Sequence, residues 1–327
     1  MIEGFRGKRI LITGGLGFIG SAIARRLAGV AAEIVLVDSL IPEYGGNPAN
    51  IRGIEGQVRV NVSDVRDPHS MRHLVQGVDL IFNMAGQTSH LDSMTDPHTD
   101  LEINARAQLS ILEAVRRNNP RAKVVFASTR QLYGRPDYLP VDERHPVRPV
   151  DVNGINKAAG EGYHLLYHQV YGIPTVVLRL TNTYGPGMRI RDARQTFLGI
   201  WIRRLLEGEP FEVWGGGQRR DLNYVEDAVD AFLLAVLDPA ADGKVFNLGA
   251  PEVVTLEELA RLLVEVHGRG RFTVRPFPEE RRRIDVGDYY GDIGAICEAL
   301  GWEPRVPLRE GLARTLAFYG AELASYL

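Results

Sequence analysis

Apolar residues along this chain fall into two rhythms. Six short runs, KRILIT, EIVLVD, VRVNV, DLIFNMA, KVVFAS and TVVLRLTN, are rich in aliphatic side chains and are separated by longer stretches of helical periodicity. Such runs predict strands buried on both faces, and their alternation with helices predicts an α/β chain with a doubly wound parallel sheet. Two of the helices are well marked. Leu101 to Asn118 carries Leu101, Ala105, Leu109, Leu112 and Val115 on one stripe, and Gly154 to Tyr171 carries Ile155, Ala158, Ala159, Leu165, Leu166 and Val170. Both offer enough apolar surface to cover the sheet and to meet a second subunit.

The rhythm changes after about Asn182, where YGPGM and VWGGGQ introduce Gly-rich and Pro-rich connections. The stretch from Tyr224 to Gly249 again reads helix then strand. The expectation is a first domain built from residues 1–181 and 223–249, and a smaller α/β lobe built from 182–222 and 250–327. A cleft between them is the expected ligand site.

Composition adds exclusions. A chain of 327 residues that is 45% hydrophobic and 24% charged, with net charge −3, is globular and carries no basic field of the kind nucleic acid demands. Cys297 is the single cysteine, which rules out an internal disulfide, leaves no Cys-rich metal framework and fits a reducing compartment. The opening MIEGFRGKRILITGG lacks the layout of a signal peptide, and no apolar run approaches the roughly 20 residues of a membrane span. The expected location is cytoplasmic, with no metal and no membrane partner.

Candidate chemistry begins in ITGGLGFIGSAIARRLAG. Gly14, Gly17 and Gly20 stand between a strand and a helix, with Phe18 and Ile19 among them. Glycines let such a turn close and the backbone approach a pyrophosphate, which the free N–H groups of the helix start then hold. The next strand ends in Asp38, eighteen residues after Gly20, where a carboxylate binds ribose hydroxyls and repels a 2′-phosphate. NAD is therefore expected over NADP in a Rossmann domain. Asp64 and Val65 after the third strand, and Ala85 after the fourth, are the remaining candidate cofactor contacts.

The strand KVVFAST ends in Ser128 and Thr129, and Lys157 stands near the start of the next long helix. With TGGLGFIG, NMAGQTSHLDS, FASTRQLYG, LRLTNTYGPG, GGGQRRDLNYVEDAVDA and LGWEP, the chain resembles the extended short-chain dehydrogenase/reductase family over almost its whole length. It is most similar to the NAD-dependent nucleotide-sugar epimerases and dehydratases. The resemblance implies a Tyr, four residues before the Lys, that takes a proton from a sugar hydroxyl as hydride passes to the nicotinamide. It implies that the Lys holds the nicotinamide ribose and that a Ser or Thr bonds the reacting oxygen. Carried over, these roles fall to Lys157 and to Ser128 or Thr129, while the Tyr position is occupied by Asn153. An amide cannot accept the released proton.

Tyr133, Tyr163 and Tyr184 read as packing residues. Acid–base candidates nearer the expected sugar are His90, Asp92, Arg130, Gln131 and Lys157. In 4,6-dehydratases Asp-Glu follows the Ser/Thr pair, whereas here Arg130 and Gln131 follow, which disfavours dehydration and favours epimerisation. The resemblance further implies that Asn182, Arg220 and Arg282 bind the substrate diphosphate, as planar guanidinium forks suit phosphate oxygens. The leading expectation is a homodimeric NAD-dependent nucleotide-sugar epimerase with an atypical site. The alternatives are a catalytically silent protein that binds the same ligands, and an NAD-dependent reductase of a non-nucleotide substrate.

Overall fold

The computed structural model describes residues 1–44, 46–194 and 196–327, excepting the side chains at 280 and 281. In chain order the strands are β1 (Arg9–Thr13), β2 (Glu33–Asp38), β3 (Arg59–Val62), β4 (Leu80–Asn83), β5 (Lys123–Thr129), β6 (Thr175–Leu180), β7 (Asn182–Tyr184), β8 (Phe211–Trp214), β9 (Arg219–Tyr224), β10 (Val245–Asn247), β11 (Val253–Thr255) and β12 (Phe272–Arg275). Seven of them form one sheet in the order β10-β6-β5-β4-β1-β2-β3, every neighbouring pair parallel. The order reverses at β1 and β4, the feature that opens a ligand crevice at the carboxyl ends of such strands. Two small sheets, β11-β9-β7 and β12-β8, lie outside it.

Helices cover both faces. The helices used below are α1 (Phe18–Leu27), α2 (Pro68–Leu74), α3 (His90–Thr95), α4 (Pro97–Leu101), α5 (Ala107–Asn118), α6 (Val152–Tyr171), α7 (Phe197–Leu206) and α8 (Val225–Leu237). Side chains alternate across a strand, so Ile10 and Ile12 of β1 join the core with Ile23 of α1 and Phe232 of α8, while Leu11 joins Met71 of α2 and Leu112 of α5. This two-faced burial explains why the strands read as apolar runs.

Three details differ from the sequence reading. VRVNV is not a buried strand: β3 lies at the sheet edge, with Val60 38% and Val62 65% exposed. An edge strand has a neighbour on one side only, so its apolar run overstates its burial. TVVLRLTN does not continue through its end, because β6 stops at Leu180 and Asn182 begins β7 of a different sheet. The helix expected from Leu101 is broken by a π-helical turn over Glu102–Arg106, where Asn104 Nδ2 donates to Gln87 O (2.9 Å) and Asp100 Oδ2 (3.0 Å). Such turns recur at functional sites.

Helix α6 starts at a sharp cap, Asp151 Oδ1 accepting from Gly154 N at 2.7 Å, and ends at Gly172, whose φ of 67° favours glycine. Its inward face carries polar groups with fixed partners. Glu161 forms a buried ion pair with Arg179 of β6, and Arg179 also donates to Tyr133 Oη at 2.6 Å. One turn further on, His164 stacks on Phe126 (4.3 Å between centroids), its Nδ1 lies 2.8 Å from Gly160 O, and its Nε2 lies 3.3 Å from Asn83 Nδ2.

Those partners define a neutral ring that donates from Nδ1. Burial pulls its pKa down from 6.5 to about 4. The folded-state value lies below the unfolded one, so the contribution to stability is complete above pH 6.5 and is lost as pH falls toward 4. We predict that the unfolding free energy falls by about 1.4 kcal/mol per pH unit more steeply for the natural chain than for His164→Gln in that window. Denaturant titrations from pH 7 to 4 check this, and parallel curves contradict it.

Candidate active site

A cleft of about 260 Å³ opens at the carboxyl ends of the central strands, bounded by Asp38 at the end of β2, Ala85 after β4, Thr129 at the end of β5 and Leu180 at the end of β6. One end is the glycine turn. Gly14 sits at φ 63°, and a side chain on Gly20 would bring its Cβ to 2.3 Å from Gly14 O, so the strand and α1 approach as closely as they do only with glycine there. No side chain caps α1 and no acid stands in its first turn, which leaves the N–H groups around Phe18, Ile19 and Gly20 facing the cleft.

Asp38 anchors the neighbouring wall. Its Oδ2 accepts from Leu16 N (3.1 Å) and its Oδ1 from Leu40 N (3.0 Å). Burial raises its pKa against the pull of these two donors, and each oxygen keeps a lone pair for a ribose hydroxyl. Asp64 and Val65 line the same end, with Asp64 chelated by Arg66 at 2.6 Å. An uncapped helix start, a close glycine turn and a strand-end carboxylate together fit a dinucleotide.

At the other end Asn153 and Lys157 share the inward face of α6, one turn apart. Lys157 Nζ donates to Ala127 O at 3.0 Å and lies 5.0 Å from the Phe126 ring centre. Burial pulls its pKa to about 8, partly opposed by the Asp100 charge. Ser128 and Thr129 separate in role. Ser128 Oγ donates to the buried Glu161 at 3.0 Å, whereas Thr129 is half-buried and, among the described residues, its Oγ1 accepts only from Gln131 N at 3.2 Å, which leaves its proton for a ligand.

Asn153 is only 2% exposed. Its Nδ2 donates to Gln87 O (2.8 Å), Gln87 Oε1 (3.2 Å) and Asp100 Oδ2 (3.0 Å). Asp100 has no exposure and accepts from Asn104 and Asn156 as well, at 3.0 and 2.8 Å. Neither Asp100 nor Gln87 was singled out in the sequence; Gln87 lies in the NMAGQTSHLDS motif, and nothing local marks Asp100.

Arg130 is half-buried at the cleft, its guanidinium 4.9 Å from the Tyr289 ring and its Nη2 3.4 Å from Asn182 Oδ1, while Nη1 is shielded from solvent and has no partner among the described residues. Burial pulls its pKa down. Arg220 does not reach the cleft wall. It is 5% exposed, donates to Gly287 O and to Arg219 O (2.9 Å), and leaves Nε unpartnered among the described residues. Burial, and then the charge of Arg130 beside it, lower its pKa to about 10. Arg282 lies away from the cleft: it is exposed and pairs with Glu279 at 3.4 Å. His90, Gln131 and Asn182 line the cleft, as do Tyr44 and Arg189, which the sequence reading did not single out. Asp92 lies outside its wall and pairs with Arg194 at 2.8 Å. Tyr133 and Tyr184 are buried in packing, and Tyr163 packs partly buried against the α2–α5 core. No cluster of described residues could hold a metal ion, and no described helix is long and apolar enough to cross a membrane.

Fold and cleft together define a dinucleotide-binding Rossmann protein. Residues 10–249 match the model of the NAD dependent epimerase/dehydratase family, and the chain belongs to that family. Its cofactor is NAD. UDP-glucuronic acid decarboxylase 1 of Xenopus tropicalis is 32% identical, covering 97% of this chain and 73% of the relative. The structure of UDP-glucose 4-epimerase from Thermotoga maritima with UDP-glucose is 30% identical with a TM-score of 0.88, covering 96% of this chain and 99% of the other. That of the Thermus thermophilus UDP-glucose 4-epimerase with NAD is 30% identical with a TM-score of 0.84, covering 95% and 98%.

Proposed function

We propose that the chain is an NAD-dependent nucleotide-sugar epimerase whose active site works without the family Tyr. The observation that carries this reading is one cleft in which the glycine turn and Asp38 lie at one end, and Lys157, Thr129 and an Arg130 guanidinium nitrogen with no partner among the described residues lie at the other. Bound NAD supplies a hydride acceptor. Lys157 donates to its ribose, Thr129 donates to the reacting sugar oxygen, and Asn153, whose amide donors point inward, offers only its Oδ1 to a sugar hydroxyl. Arg130 with Asn182, backed by the buried Arg220, binds the diphosphate, since a buried N–H without a partner is costly until an anion meets it. The names of relatives that act on UDP-sugars support a UDP-sugar substrate.

Epimerisation is favoured over 4,6-dehydration because elimination needs an acid and a base beside the sugar, and Arg130 and Gln131 supply neither. The expected experiment is a panel of UDP-, dTDP- and CDP-sugars incubated with the protein and NAD, with products separated by chromatography. Appearance of an epimer is the predicted result, and inertness across the panel favours a silent binding protein. Arg130→Met is expected to weaken nucleotide-sugar binding by about 1.5–3 kcal/mol and to leave NAD binding intact. Equal loss of both ligands contradicts the assignment.

The same reading includes a cytoplasmic homodimer through α5 and α6. Ile155, Leu166, Val170 and Tyr171 of α6 are between 48 and 57% exposed, an apolar face that a second subunit would cover. Light scattering at micromolar concentration is expected to give twice the chain mass, and Val170→Glu to give the monomer.

A further inference from the structure

We propose that His90, held by Asp151, is the acid–base residue that stands in for the missing phenol; this rests on the epimerase reading and deepens it. His90 opens α3 and lines the cleft together with Asn153, Lys157 and Thr129. Its Nδ1 lies 3.0 Å from Asp151 Oδ2 and is shielded from solvent, while the side chain as a whole is 40% exposed. The exposed part of the ring is therefore the edge away from Asp151, which carries Nε2, and no described residue bonds Nε2. The Nδ1 contact has the distance of a hydrogen bond without its full alignment, which a rotation of the ring would complete.

Asp151 is built to hold this ring. It has no side-chain exposure, its Oδ1 caps α6 through Gly154 N (2.7 Å), and its Oδ2 also accepts from Gln131 Nε2 (2.8 Å). Burial pushes its pKa up, but His90 and the other donors outweigh that and leave it lowered, so the carboxylate stays charged. A carboxylate on Nδ1 fixes the tautomer in which Nε2 carries a lone pair, the form a general base needs. Gln131 now has a physical role. A Glu in its place would set a second carboxylate against Asp151, whereas the amide donates to it. The change that removes the dehydratase acid–base pair thus supports the His90–Asp151 pair.

The other titratable groups near Asn153 are committed. Asp100 is wholly buried and bound by three amides, and Lys157 donates to Ala127 O while a ribose needs its charge. In the oxidation half-reaction the hydroxyl proton passes to His90 Nε2 as the carbon-bound hydrogen leaves as hydride, so the alcohol becomes a ketone with reduction of NAD+ to NADH. Return of hydride to the opposite face of the ketone, and of the proton from Nε2 to the oxygen, gives the epimer and regenerates NAD+. Asp151 acts through His90 and is a positioning residue.

Two measurements test the pair. In the protein without ligands, nitrogen-15 NMR of the histidines is expected to show His90 as the Nδ1–H tautomer, and Asp151→Asn, which keeps the helix cap, to lose that preference; an Nε2–H tautomer in the natural chain overturns the proposal. With NAD and the UDP-sugar that turns over, His90→Gln is expected to slow near-ultraviolet appearance of NADH by about 10²- to 10⁴-fold with both affinities unchanged. Imidazole added to His90→Ala is expected to restore part of that rate. Natural-rate hydride transfer in His90→Gln overturns the role of His90 and leaves the epimerase reading standing. A natural chain that reduces no NAD with any sugar overturns the reading itself, and the role of His90 with it.

Discussion

A carboxylate sealed from solvent, Asp100, sets the geometry around which the sugar end of the cleft closes. A buried charge is tolerated only when its lone pairs are filled, and here the amides of Asn104, Asn153 and Asn156 fill them. Those amides come from the π-helical turn before α5 and from the first five residues of α6, so one ion clamps two helices. The same negative charge helps keep Lys157 protonated against its burial. Asn153 is thus a donor spent on structure. A phenol in its place would take one amide from Asp100, so the amide at position 153 and the shell around Asp100 belong to one arrangement.

The constraint extends along α6. Asn153, Lys157, Glu161 and His164 lie at three- and four-residue spacing on its inward face, each buried and each with a partner from another element: Gln87, Ala127, Arg179 and Asn83. A helix with this polar stripe packs in one register only, because a slip leaves several groups unpaired at once. That rigidity aims Lys157 at the cleft, draws Ser128 inward toward Glu161, and leaves Thr129 as the hydroxyl available to a ligand. At the helix start Asp151 serves the cap, Gln131 and His90 together.

Much of the sheet was legible because burial on both faces writes an apolar run, and the glycine turn and Asp38 were legible because their chemistry is local. The spacing of Asn153 and Lys157 was equally plain, one helical turn being visible in any sequence. Long-range partners were not. Asp100 and Asn153 are neighbours only because α4 folds back on α6, and Asp151 reads as an ordinary helix cap until His90 is beside it. Arg282 looked like Arg220 in sequence, yet one is exposed on a short helix and the other is buried beside Arg130. VRVNV misled because an apolar run does not reveal whether a strand has one neighbour or two.

The central claim is that hydride leaves and returns within one cleft that has no tyrosine base. The most direct test runs the epimerisation in deuterated water with NAD and the nucleotide sugar that turns over, and reads the inverted carbon of the product by mass spectrometry and NMR. Return of the substrate's own hydride predicts an epimer with no solvent deuterium on that carbon. Deuterium at the inverted carbon would mean that a proton, not a hydride, had been removed and replaced, and would contradict the account.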